Sequence, residues 1–224
     1  MLESFKKFRQ DNKIESNSQI NQDLYALFIN NLESGYFVEF GACDGIYLSN
    51  TYILEKKYGW DGILAEPVKS YFDDLKRNRS CNITNLCVSD KTGERQEFVE
   101  VDLENNKGLS GLKDHAFSDK HTVKRVENGL IYEVETISLN DLLNRYNAPS
   151  IIDYLSIDTE GSEYMILESY DFSRKFKAIT VEHNHTENKE KIDSLLISHG
   201  YVKVLSEISD WDSWYIHKDW YESE

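Results

Sequence analysis

The residues best placed for chemistry are acids that close apolar runs. Glu39 lies in Tyr36-Phe37-Val38-Glu39-Phe40, and Gly41-Ala42-Cys43-Asp44-Gly45 follows it. Glu66 ends Gly62-Ile63-Leu64-Ala65, Asp158 ends Ile151 to Ile157, and Glu182 with His183, Asn184 and His185 ends Phe176 to Val181. A carboxylate that concludes an apolar strand is expensive unless it is used. It can attract a cation, accept hydrogen bonds from hydroxyls, or take a proton as a general base, a task a histidine near its ordinary pKa also performs.

Positioning such groups requires strands and turns. An apolar run that stops at glycine reads as a buried parallel strand with a tight turn at its carboxyl end. The stretch from Ile46 to Tyr58 has helical character, so the glycine turn is expected to open a helix, in the crevice where open α/β sheets bind ligands. The spacing Gly41-x-x-x-Gly45 is not the G-x-G-x-x-G of a dinucleotide site. Glu39 and Asp44 would repel a pyrophosphate and suit an ammonium or sulfonium group. Glu66 stands where an acid accepts from ribose hydroxyls. Cationic head, ribose and glycine turn together fit S-adenosylmethionine better than NAD.

Three segments carry a family resemblance: Val38-Glu39-Phe40-Gly41-Ala42-Cys43-Asp44-Gly45, Gly59-Trp60-Asp61-Gly62-Ile63-Leu64-Ala65-Glu66-Pro67 and Leu155-Ser156-Ile157-Asp158-Thr159-Glu160-Gly161-Ser162-Glu163. In this order they resemble the FkbM-type S-adenosylmethionine-dependent methyltransferases, from about Ser18 to Tyr215. The resemblance implies an α/β, Rossmann-like class I methyltransferase fold, with a mostly parallel seven-stranded sheet and helices on both faces. It implies methylation of an oxygen on a sugar or similar small molecule, as in surface-polysaccharide biosynthesis. Its Ser-Gln…Asp pattern is similar to Ser18-Gln19…Asp23, near the cofactor, and the end of its third strand, here Val88-Ser89-Asp90, lies beside the adenine. The expected cofactor set is Glu39, Gly41, Ala42, Asp44, Gly45, Glu66, Pro67, Val88, Ser89, Asp158 and Glu160.

Strands one, four and five are central neighbours in such a fold, so Asp158, Glu182 and His183 are the candidate catalytic residues. Catechol-type methyltransferases hold magnesium with an acid after strand four and an acid-amide pair after strand five. Asp158, Glu182 and Asn184 stand at similar positions, and oxygen ligands of this kind suit Mg2+ or Mn2+. The competing structural reading makes Asp158 a helix cap, and Glu160 and Glu163 first-turn acids that favour the helix dipole. Trp211, Trp214 and Tyr215 read as core.

Elsewhere, Ile20, Leu24, Leu27 and Phe28 recur at helical spacing behind a Ser18 cap. Asn82 to Val88 reads as strand three, and Ser138 with Asp141 as a helix start close to a capping box. Residues 94–137 form an insertion with extra strands at Glu94 to Val101 and Ile131 to Ile137. The long connection between them carries Lys107, Lys113, Lys120, Lys124 and Arg125 with His115 and His121, against Asp114 and Asp119. This basic island suggests an anionic acceptor such as a sugar phosphate or nucleotide-linked sugar; a solvated loop is the alternative.

The 224 residues suit one domain, 18–224, behind a lead segment, 1–17, whose helix is expected to fray. A net charge of −15 argues against a nucleic-acid partner. Three cysteines without C-x-x-C spacing suit a reducing compartment, and no run is long enough for an integral membrane segment, so a cytoplasmic location is expected. Oligomeric state stays open, a homodimer included. Two alternatives remain: an NAD(P)-linked oxidoreductase and a non-catalytic binding module on the same fold.

Overall fold

The Tyr36-Phe37-Val38-Glu39-Phe40 run forms β1, an inner strand flanked in parallel by β2 (Asp61–Ala65) and β8 (Ile151–Ile157). A computed structural model describes residues 1–101, 108–117 and 121–221. In chain order the other strands are β3 (Asn82–Thr84), β4 (Cys87–Ser89), β5 (Arg95–Val101), β6 (Gly111–Leu112), β7 (Gly129–Ser138), β9 (Lys175–Glu182), β10 (Tyr201–Val204) and β11 (Asp212–His217). The helices are α1 (Leu2–Asn12), α2 (Gln22–Ile29), α3 (Tyr52–Tyr58), α4 (Lys69–Asn78), α5 (Thr122–Asn128), α6 (Leu139–Arg145), α7 (Glu163–Ser169) and α8 (Asn188–Ser198).

The main sheet has the order β10-β11-β9-β8-β1-β2-β3. It is mixed: β11 runs antiparallel to both β9 and β10, and the remaining pairs are parallel. Strands covered on both faces need apolar side chains on both, and β1, β8 and β9 supply them. Val38, Ile63, Leu155 and Ile179 pack in one core with α6, α7 and α8; Phe37, Leu64, Tyr154 and Ala178 pack in the other with α2 and α3.

Several boundaries differ from the sequence expectation. The single third strand divides in two: β3 extends the main sheet, whereas β4 pairs with β7 in a second sheet of order β4-β7-β5-β6. The break falls at Asn85-Leu86, where the Leu86 amide turns onto Thr84 Oγ1 at 3.2 Å. Within the long connection, β6 and α5 are additional elements that its irregular apolar spacing does not signal. The Ser138 cap holds, its Oγ accepting from the Asp141 amide at 3.2 Å. Ser18 is not a cap, because α2 begins at Gln22 and Ser18 instead donates to Asp23 Oδ1 at 2.8 Å.

The N-terminal helix does not fray. Phe5 is fully buried against Tyr25, Phe28 and Trp214. Hiding a phenyl ring contributes about 1.5–3 kcal/mol, and Leu2 and Phe8 pack against the same core to add to it.

The glycine turn does not open directly into a helix either. From Gly41 to Thr51 the chain is irregular, and α3 starts only at Tyr52. Arg79 explains this. Its Nη1 donates to the Gly45 carbonyl at 3.2 Å and Ser49 Oγ at 3.1 Å, and its Nη2 to Thr51 Oγ1 at 2.9 Å. A buried guanidinium satisfied by one loop specifies that loop's path more strongly than helix propensity does.

Candidate functional site

A cavity of about 330 Å³ opens where the carboxyl ends of β1, β2, β8 and β9 meet. Its floor depends on Gly41, whose φ of +76° and missing Cβ let the β1 turn lie against the Asp158 carbonyl. Beside it stands Glu66, whose Oε2 accepts from the Cys43 amide at 2.7 Å and Oε1 from the Val68 amide at 2.8 Å. Those bonds aim the carboxyl from the end of β2 and leave each oxygen a second lone pair. Burial pushes its pKa up to about 8.

The second sheet supplies the next wall. Phe98 of β5 and Leu112 of β6 pack with Val68, Tyr71 and Cys87, and with Val88 these residues line an apolar slot beside Glu66. Flat heterocycles bind in slots of this kind, with a few polar groups fixing their orientation. Phe98, Tyr71 and Leu112 escape the sequence reading, since nothing in it shows the insertion folding back over the strand ends.

At the opposite end the acids gather. Ligand oxygens of Asp158, Glu160 and Glu182 lie within 4.8 Å of one another. Burial raises the pKa of both Asp158 and Glu182, and the two carboxyls are hydrogen-bonded to each other. Two acids so close cannot both ionise easily, so each strengthens the other's hold on a proton. Oδ1 of Asp158 meets no hydrogen-bond partner among the described residues, and neither does Oδ1 of Asn50, another cavity-lining side chain. Buried acceptors left this way call for a donor or a cation.

Behind Glu182, its β-sheet partner Asp212 is buried and accepts from Gln22 Nε2 at 3.0 Å; burial pushes its pKa up to about 7. Gln22 and Gln19 both line the cavity, as does Trp211, which the sequence reading assigns to the core. Trp214 and Tyr215 are core residues, fully buried. Tyr47 and Leu48 complete an exposed rim, 45% and 37% accessible.

The structure brings Glu39, Gly41, Glu66, Pro67, Val88, Asp158, Glu160, Glu182 and Asn184 to this cavity, and leaves the other expected residues outside it. Asp44 turns onto its own loop, its Oδ1 accepting from the Ile46 and Tyr47 amides at 2.9 and 2.7 Å. Ala42 is core, Gly45 packs on Leu75 and Arg79, and Ser89 Oγ is bonded to Asp90 Oδ1 at 3.2 Å. His183 is buried off the cavity with Nδ1 accepting from the His185 amide at 3.0 Å, and burial lowers its pKa to about 4. A neutral ring with that lone pair engaged is a poor base for a substrate it does not face.

Two members are committed to the protein itself. Glu39 accepts from Ser49 Oγ at 3.0 Å, Thr51 Oγ1 at 2.5 Å and the Asn50 amide at 2.7 Å, with Arg79 at 3.9 Å. It shapes the loop that lines the cavity. Glu160 is paired with Arg125 at 2.5 Å, and Asn184 Nδ2 leans on the same oxygen at 3.4 Å. The amide expected among metal ligands is thus turned to a neighbouring acid. Glu163 also serves structure, accepting from the Thr159 and Gly161 amides at 2.9 and 3.0 Å.

Of the described members of the basic island, His121 lines the cavity, Arg125 is buried, Lys113 pairs with Glu97 at 2.7 Å, and Lys124 does not line the cavity. Lys107, Lys120 and Asp119 lie outside the described residues.

The chain is similar in fold to a precorrin-6y C5,15-methyltransferase from Geobacter metallireducens GS-15. That likeness has 14% identity and a TM-score of 0.43 over 88% of this chain and 81% of that one, too loose to carry a conclusion. No curated protein matches the sequence. A family model does match, the methyltransferase FkbM domain, over residues 39–211, a span that runs from the first acid of the glycine turn to the cavity tryptophan. With that span covering most of its length, the chain belongs to the FkbM methyltransferase domain family and is an S-adenosylmethionine-dependent methyltransferase.

Proposed function

We propose that the protein methylates a hydroxyl oxygen of a small polyhydroxylated acceptor, such as a sugar. The observation that carries this reading is the pair of partnerless buried oxygens, Asp158 Oδ1 and Asn50 Oδ1, in a cavity that also holds Glu66 and an apolar slot. The residues fit S-adenosylmethionine. Glu66 takes the ribose hydroxyls, the Phe98–Tyr71–Val88 slot takes the adenine, and the two oxygens receive the cationic end.

S-adenosylmethionine supplies an electrophilic methyl group and leaves as S-adenosylhomocysteine. With the methyl group delivered to the acceptor oxygen, the Asp158–Glu182 pair would take the hydroxyl proton, its burial favouring the protonated form. Gln19, Gln22 and Trp211 orient the acceptor, with amide hydrogen bonds and an aromatic face suited to a sugar ring. The free thiols of Cys43, Cys81 and Cys87 suit a cytoplasmic setting, and among the described residues no helix is long and apolar enough to cross a membrane.

A divalent cation is the second reading, favoured by the three close carboxylates Asp158, Glu160 and Glu182. The Arg125 guanidinium already balances Glu160, which weighs for proton transfer without a metal. Loss of turnover on EDTA treatment, restored by Mg2+ or Mn2+, would favour the cation.

Calorimetric titration with S-adenosylhomocysteine, followed by an acceptor screen, tests the whole reading. One-to-one binding and methylation of a neutral sugar are the expected results. A folded protein that binds no S-adenosylhomocysteine would end it.

A further inference from the structure

The second sheet folds back over the cofactor cavity, and one side chain ties it there. Leu109, Ser110 and Leu112 line the cavity from this side. The segment lies hard against the loop after β8: a Cβ at Gly161 would stand 2.5 Å from the His115 carbonyl oxygen, and one at Gly111 3.1 Å from that of Thr159.

Arg125 of α5, only 1% exposed, reaches into this seam. Its Nε donates to the Leu109 carbonyl at 2.6 Å, its Nη1 to the Ala116 carbonyl at 2.6 Å, and its Nη2 to Glu160 Oε2 at 2.5 Å. One rigid fork therefore joins both ends of the cavity-lining segment to the acid loop. The left-handed backbone of Glu160, with φ of +59°, is held between two sites that use it: the Arg125 pair and the Asp158–Glu182 cluster.

We propose that Arg125 is a positioning residue for the cofactor: by clamping Leu109 and Ala116 to Glu160 it holds residues 108–116 as a roof over the apolar slot, and cofactor exchange requires that clamp to open. The inference rests on the methyltransferase reading of the cavity. Roof closure acts after encounter, so its loss appears in the rate of escape.

The test is stopped-flow displacement of S-adenosylhomocysteine from the full chain, comparing wild type with Arg125→Met, Arg125→Lys and Glu160→Gln. Arg125→Met and Glu160→Gln are expected to raise the dissociation rate about tenfold or more with no fall in association rate. Arg125→Lys, which keeps the charge without the fork, should lie between them and wild type. If Arg125→Met fails to fold, Arg125→Lys decides alone, since it keeps the charge, loses the fork and does not line the cavity. Unchanged dissociation in folded variants overturns the clamp, as does an affinity loss explained by slower association. Wild-type protein that binds no S-adenosylhomocysteine overturns the cavity reading itself; normal wild-type binding with unchanged variant rates overturns the clamp alone.

Discussion

Gly41 lies directly against Asp158: a Cβ at position 41 would stand 2.1 Å from the Asp158 carbonyl oxygen. The cofactor turn after β1 and the acid end of β8 are therefore in contact at a place only glycine fits. Its φ of +76° adds a second reason. Gly41→Ala is expected to weaken S-adenosylhomocysteine binding by about tenfold or more and to lower the melting temperature, because relief requires the two strand ends to separate. Calorimetry and thermal melting check both. Native affinity would mean that the turn relaxes without opening the cavity.

Glu182→Gln should leave S-adenosylhomocysteine binding near native while turnover falls about 10²–10⁴-fold, the range for loss of a general base. Asp158→Asn should lose turnover to the same extent and also weaken binding, because Asp158 receives the cationic end of the cofactor. Single-turnover methylation separates chemistry from binding. If either variant turns over at the native rate, the pair is not the proton acceptor.

The pH dependence of stability follows from buried groups on two sides of neutrality. Glu66 and Asp212 have pKa values raised by burial to about 8 and about 7, so the folded chain binds their protons more tightly than the unfolded chain does. Their contribution is fully present at low pH and is lost as pH rises through those values. His183 has its pKa lowered by burial to about 4, so its contribution is lost as pH falls from the ordinary histidine range towards that value. Between about pH 5 and 6 the two falling contributions outweigh the one rising contribution of His183, so the melting temperature should decline from about pH 5 to about pH 8 and level off above it. Glu66→Gln and Asp212→Asn should each flatten that decline. An unchanged slope in both would mean that these carboxyls are hydrated in solution.

Arg79→Met should be severely destabilising, by about 3–5 kcal/mol in urea denaturation, because it leaves the buried Glu39 without a cation and takes one of two cationic partners from Glu55. Arg79 Nε donates to Glu55 at 2.6 Å, and Glu39 lies 3.9 Å from Nη1. Paired with Glu39→Gln, the loss should shrink, since the orphaned buried charge is gone. A strictly additive double variant would count against a shared network.

Much of the site was legible because it is local. A strand that ends in an acid announces both its burial and its cost, and β1, β2, β8 and β9 read correctly from apolar runs of strand length. Glu66, Asp158 and Glu182 reach the cavity from those strands. What the sequence left open has one cause: a polar side chain at a given position can face a ligand or its own backbone. Asp44 turned to its own loop amides, Glu39 to Arg79 and its loop, and Arg125 left the solvent for Glu160, each satisfied by atoms whose nearness no spacing reveals.

By itself, then, the sequence determined the α/β order of elements, the glycine turn and the acids that conclude the strands, because periodicity and backbone preference act within a few residues. Tertiary structure alone decided which of those acids stay available. Burial demands a partner for every charge, and that partner came from far along the chain: Arg79 for Glu39, Arg125 for Glu160, and for Asp158 the carboxyl of Glu182.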